Sequence, residues 1–237
     1  MDWLLWILSA LVGYLLGSIS FARVITRMVN PEASLDQART VTAEDGQQTI
    51  LSGIGAYTTS MALGSKYGGF VALFDILKAF LPVLVFRLLY PDQAYALVCS
   101  LFTVLGHNFP VYYNFQGGRG LSPMMGGLLV LDPFGYLVST AVGLLLGILI
   151  NQPATGMLLW MPLLTLWALI VRADWALTVY SVLLIALLSL ANLPEFKTIA
   201  MYRKQGRLDE YNAMVNQSSS MMRMFQKLSA AVRFWER

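Results

Sequence analysis

Charge is what this 237-residue sequence has least of: 12% of its residues are Asp, Glu, Lys or Arg, against about a quarter in an ordinary soluble domain. With 57% hydrophobic residues and a mean hydropathy of +0.62, the chain belongs in a bilayer. It has one cysteine, Cys99, which excludes an internal disulfide; lying in an apolar run, it reads as a buried structural thiol rather than a nucleophile. It has one histidine, His107, and neither an HExxH pattern nor a His and Cys cluster. That argues against a transition-metal site and leaves carboxylate-bound magnesium open. A GxSxG elbow is absent, and so is any internal repeat. Basic excess is local: Pro194 to Arg237 carries 8 basic and 4 acidic residues, a net +4, so within a chain of +3 the remainder is −1. The asymmetry suggests an anionic lipid surface, not nucleic acid.

What is abundant is apolar length. Trp3 to about Ala22 is an uninterrupted run long enough to cross a bilayer, and without a basic start or cleavage box it reads as a retained helix with Ser18 and Ser20 at its exit. A polar stretch from Arg23 to about Thr49 follows, a solvated loop or a short surface helix. Ile50 to Gly69 is glycine-rich and leads into a helix from about Phe70 to Tyr90. Further spans fall at about Gln93 to Tyr112, Leu121 to Leu131, Phe134 to Ile150, Ala154 to Val171 and Trp175 to Leu193. Asp132 and Pro133 either separate two spans or kink one long helix. Counting two gives about seven, an all-α polytopic membrane protein with a membrane domain over residues 1–193 and a basic tail over 194–237.

Arg23, Arg27, Arg39, Lys66, Arg119 and the tail then lie on one side against Arg87 and Arg172 on the other, which puts the N-terminus outside and the C-terminus in the cytoplasm. Trp3, Trp6, Tyr90, Tyr112 and Trp175 fall near span ends as an interfacial belt would, and the glycines suit close helix approach. In the tail, Met221, Met224, Phe225, Leu228, Val232 and Trp235 recur at helical spacing beside Arg223 and Lys227. They form either an interfacial amphipathic helix, or a coil or partner-binding helix.

Chemistry-bearing residues concentrate in LGHNFPVYYNFQGGRGLS, Leu105 to Ser122. Pro110 removes a backbone N–H and biases Phe109 away from the helical region, so the preceding helix should end near His107 and Asn108. Gly117, Gly118 and Gly120 permit turns that aim N–H groups at an anion, and Arg119 offers a planar fork suited to phosphate. The alternative is a cytoplasmic turn with one topogenic arginine. Asp75 and Lys78, at i and i+3 within an apolar helix, are either a mutually satisfied pair or functional groups.

The segment GHNFPVYYNFQGGRG resembles the second signature of the PlsY family of bacterial glycerol-3-phosphate acyltransferases, with Arg119 in place of the usual lysine. GSISF at Gly17 to Phe21 and LFDILKA, carrying Asp75 and Lys78, are similar to other family patterns. The first signature corresponds to SGIGAYTTSMALG with one residue deleted: Ser52, Gly53, Gly55 and Gly64 match, Thr58 replaces an asparagine, and Met61 replaces an arginine. The third signature is represented by EFKTIAMYRKQGRLDE, which keeps Gly206 and the basic character.

The resemblance implies acyl transfer from acyl phosphate to the sn-1 hydroxyl of glycerol 3-phosphate, without metal or cofactor, at the cytoplasmic face of a bacterial cell membrane. It implies His107, Asn108 and Ser52 as catalytic groups. Gly117, Gly118, Arg119, Gly120, Lys78, Asp75, Gly53 and Thr58 become substrate and phosphate contacts, with Lys78 neutralising phosphate and Asp75 holding it in place. Two other readings remain: a re-purposed or inactive homologue that binds a lipid intermediate or a partner, and a small transporter with Asp75 and Lys78 on its pathway.

Overall fold

The computed structural model describes residues 2–42, 48–50, 53–150 and 153–211; Ser52 and the tail stripe from Met221 to Trp235 lie outside them. The chain divides into two units, Met1–Pro133 with Leu183–Phe196, and Phe134–Val182 with the chain from Lys197 on.

In the first unit, α1 (Asp2–Gly17) turns small and polar residues inward and large apolar ones outward. Ser9 and Ser18 are fully buried, while Trp3, Leu4, Ile7, Leu8, Leu11 and Leu15 are exposed, the arrangement suited to a lipid surround. A Cβ on Gly13 or Gly17 would run into the backbone at Cys99 or Thr103 of α6 (Tyr95–Asn108), so the two helices touch main chain to main chain. The expected first span to Ala22 stops at Gly17. Ser18 donates its hydroxyl to the Tyr14 carbonyl (2.8 Å), and Ser20, in extended backbone, opens α2 (Phe21–Val29).

The stretch expected as a loop or surface helix holds α2, then α3 (Leu35–Ala38), then an antiparallel hairpin of β1 (Thr40–Thr42) and β2 (Gln48–Ile50), with Thr40 opposite Ile50. Among the described residues this hairpin is the only β structure, and its sequences TVT and QTI are rich in β-branched residue types, which favour extended backbone. Next come α4 (Ala56–Leu63) and α5 (Ser65–Leu89). Helix α5 starts five residues before the expected Phe70, because Gly68 is not a break: it lets α5 close onto Ala56 and Ser60 of α4. Among the described residues, one buried cluster joins Val83, Phe86, Tyr95, Ala96 and Cys99 and another joins Ala22, Leu35, Ile54 and Val71. Cys99 is fully buried, as a packing thiol. Helix α7 (Leu121–Leu131) ends at Asp132, in non-helical backbone.

In the second unit, α8 (Pro133–Leu149) follows as a separate helix, not as the continuation of a kinked one. It packs on α9 (Pro153–Leu166) through Gly143, Gly147 and Gly156, with Tyr136 edge-on to Trp160 at 5.6 Å. A π-helical turn, Trp167–Val171, precedes α10 (Trp175–Lys204), which Asp174 caps by accepting from Leu177 N at 2.9 Å and whose stretch Leu183–Phe196 belongs to the first unit. Helix α10 runs eleven residues past the expected end at Leu193, continuing through Pro194. Among the described residues, three stretches are long and apolar enough to cross a membrane, Trp3–Val29, Ser65–Leu89 and Trp175–Lys204; Leu121–Leu131, Pro133–Leu149 and Leu158–Val171 are shorter apolar helices.

Candidate active site

Helix α6 ends at Asn108, where Pro110 requires it to. A short 3-10 turn, Val111–Tyr113, follows, and Asn114 and Phe115 take the left-handed conformation (φ 50° and 59°), which reverses the chain. The returning strand of loop is tied down at both edges: Gly118 N donates to the His107 carbonyl (3.0 Å) and Ile54 N to the Gly117 carbonyl (2.9 Å). Side chains finish the clamp. Arg23 donates to the Gln116 carbonyl at 2.7 Å while its guanidinium stacks 4.5 Å from the centre of the Tyr113 ring, and Tyr14 donates to the Phe109 carbonyl at 2.9 Å. Glycine is required here by contact. A Cβ on Gly118 would overlap the His107 imidazole, and one on Gly117 the His107 carbonyl. Gly120, at φ 82°, turns the chain into α7.

Beneath the loop lies a buried ionic node. Lys78 Nζ forms an ion pair with Asp75 Oδ1 at 2.8 Å and hydrogen bonds with His107 Nδ1 at 3.0 Å and the Ile19 carbonyl at 2.8 Å, while Asp75 Oδ1 itself accepts no hydrogen bond among the described residues. Asp75 Oδ1 is 3.6 Å from His107 Nδ1. Since an ammonium can only donate, Nδ1 accepts, and Nε2 carries the ring hydrogen on the side facing Gly118. His107 is thus a strut between the node and the loop.

Above the loop is a cleft of about 270 Å³, lined by Arg39, Ile50, Gly53, Asn108, Phe109, Phe115, Gln116, Gly117, Gly118, Arg119, Leu190, Ala191, Pro194 and Glu195. The lining combines apolar side chains with two guanidinium groups and a carboxylate. Arg119 forms an ion pair with Glu195 of α10, both partly exposed. Asn108 donates weakly to the Leu187 carbonyl (3.4 Å), and its Oδ1 is buried without a partner among the described residues.

Of the residues singled out from sequence, Gly53, Asn108, Gly117, Gly118 and Arg119 line the cleft, and Gly120 sits behind Asn108. Asp75, Lys78 and His107 gather below the loop and do not line it. Thr58, fully buried, donates to the Gly53 carbonyl at 2.6 Å, which fixes the loop edge. The amides expected as an anion cradle are only partly available: Gly118 N is committed to His107, whereas Gly117 N and Gly120 N have no partner among the described residues. Arg39, Glu195 and Arg23 were not singled out as site residues. For Arg39 a signal existed, as the only basic residue in the stretch 36–50.

A family model described as glycerol-3-phosphate acyltransferase matches residues 7–200. The chain is 32% identical over 168 residues to the glycerol-3-phosphate acyltransferase of Desulfotalea psychrophila, covering 69% of this chain and 79% of that one. It is 28% identical over 161 residues to glycerol-3-phosphate acyltransferase 1 of Oceanobacillus iheyensis, covering 65% and 72%. Its fold matches the crystal structure of PlsY (YgiH), an integral membrane glycerol 3-phosphate acyltransferase, in its glycerol 3-phosphate form, with a TM-score of 0.67 and 24% identity over 85% of this chain and 93% of that one. The lysophosphatidic acid form of the same protein matches with a TM-score of 0.65.

Proposed function

The chain belongs to the glycerol-3-phosphate acyltransferase family, and from that premise we propose that it acylates the sn-1 hydroxyl of glycerol 3-phosphate from an acyl phosphate, in the cleft over the Gly117–Gly120 loop. It is a membrane acyltransferase of phospholipid synthesis, and its product is lysophosphatidate. The observation that carries this reading is a cleft lined both by the glycine loop with Arg119 and by Phe109, Phe115, Leu190 and Pro194. A phosphate and the first carbons of an acyl chain both find their chemistry there.

In the reaction the hydroxyl oxygen attacks the acyl carbonyl carbon, the new C–O bond forms, and the bond to the phosphate oxygen breaks with its electron pair on phosphate. Glu195 is the only carboxylate among the described lining residues, and Arg119 holds it. The hydroxyl proton therefore passes to the departing phosphate, which leaves as hydrogenphosphate. Arg119 and the Gly117 N–H balance the charge that collects on the leaving group. His107 acts from below by fixing the loop.

The membrane arrangement that goes with this reading has seven spans, an outside N-terminus, cytoplasmic active-site loops and a basic tail against anionic lipid of the bacterial inner membrane. Cysteines introduced near the N-terminus and in the tail should label from opposite sides; same-side labelling would remove the seven-span arrangement. For the chemistry, the purified chain should transfer acyl groups from acyl phosphate and not from acyl thioesters. The loss of the family arginine at Met61 and the pairing of Arg119 with Glu195 favour a second reading, a homologue that binds phosphate-bearing lipid without turnover. Binding of acyl phosphate without transfer from any donor would select it.

A further inference from the structure

Arg39 belongs to no part of the matched signatures, yet it lines the cleft. Helix α3 places it: Ser34 accepts from Gln37 N at 3.2 Å to start the turn, and Arg39 N closes it on the Leu35 carbonyl at 3.1 Å before the chain enters β1. One end of the guanidinium meets Asp36, Nη2 to Oδ1 at 2.6 Å, and that carboxylate is 70% exposed while the Arg39 side chain is 17% exposed. Its Nε is buried and has no partner among the described residues. A buried cationic donor left without an acceptor is unfavourable until something supplies an oxygen. Arg119, the other guanidinium in the cleft, is held by Glu195. Met61, where the resemblance would put the family arginine, is not among the lining residues.

We propose that Arg39 is a phosphate-binding residue of this chain, supplying a guanidinium to the terminal phosphate of a bound substrate in a chain where Met61 replaces the arginine of the first signature. This rests on the acyltransferase reading of the cleft. The ligand is a phosphate dianion, which either glycerol 3-phosphate or acyl phosphate provides.

The test uses the full-length chain in lipid bicelles, with KM and kcat measured for each substrate in turn. Arg39→Gln should raise KM by roughly ten- to hundredfold for the substrate whose phosphate it holds, with a smaller fall in kcat. A rise with glycerol 3-phosphate alone assigns the acceptor; a rise with acyl phosphate alone assigns the donor. Arg39→Lys, which keeps the charge and loses the fork, should fall between, and it decides the matter if Arg39→Gln does not fold. Asp36→Asn, which leaves the guanidinium in place, should keep both KM values within about twofold. Unchanged KM for both substrates in folded Arg39 variants would overturn the proposal. So would an Asp36→Asn variant as impaired as Arg39→Gln, since Arg39 would then serve only to brace α3. If the wild type transfers nothing yet retains glycerol 3-phosphate or acyl phosphate through Arg39 in equilibrium binding, the inference stands and the acyltransferase reading falls; if it neither transfers nor binds, both fall.

Discussion

Lys78 and Arg119 are both cations beside the glycine loop, but Lys78 is 3% exposed and held by an ion pair with Asp75 and two hydrogen bonds, whereas Arg119 is 28% exposed and pairs with Glu195 in the lining of a cleft. The difference separates two uses of charge. A buried ammonium held in this way inside the protein has nothing left for a ligand, and its removal exposes an uncompensated carboxylate. A guanidinium at a wet rim holds a partner whose net worth is small, so an incoming phosphate can replace it. The node below the loop is scaffold; the rim above it is where substrate exchanges.

The largest effect should come from breaking the scaffold. Asp75→Asn leaves Lys78 buried against a neutral amide and is expected to destabilise the fold by about 3–5 kcal/mol, read as a lowered unfolding temperature in detergent. The paired change Asp75→Leu with Lys78→Met should lose less than the single one, and if it loses as much the node is more than a buried ion pair. Next is the contact that links node to loop. Gly118→Ala puts a methyl into the His107 ring, which Lys78 prevents from yielding, and should shift the loop at a cost of about 1–3 kcal/mol in fold stability, seen as a lowered unfolding temperature together with lower kcat/KM. The smallest effect belongs to the rim. Glu195→Gln frees Arg119 and should lower KM for a phosphate substrate by only a few fold, in line with about 0.2–1 kcal/mol for an exposed pair. An unfolded Glu195→Gln protein would erase the distinction between rim and node.

Local grammar was legible in the sequence wherever one residue type forces one geometry. Pro110 ended α6 where the rule for a residue before proline places the end, and the i, i+3 spacing of Asp75 and Lys78 gave their pairing. The third member of the node was hidden because His107 lies 29 positions from Lys78 and joins it only once α5 and α6 pack. Gly68 misled for a related reason: read alone it weakens a helix, and only the nearness of α4 shows that the missing side chain is what α5 needs. Arg39 lies outside every matched signature and Glu195 at the start of the third one, and what makes them site residues is that the α3–β1 junction and α10 line the same cleft.

The most direct test of the account is the steady-state kinetics of Arg119→Ala and Arg119→Lys in purified, folded protein, with acyl phosphate as donor and glycerol 3-phosphate as acceptor. Wild-type protein should form lysophosphatidate. Arg119→Ala should lose about 1.5–3 kcal/mol of transition-state stabilisation, roughly ten- to hundredfold in kcat/KM, with an unfolding temperature unchanged, and Arg119→Lys should lose less because the charge remains. Wild-type transfer at the same rate in both variants would contradict the account, because the phosphate would then be held somewhere other than the rim of this cleft.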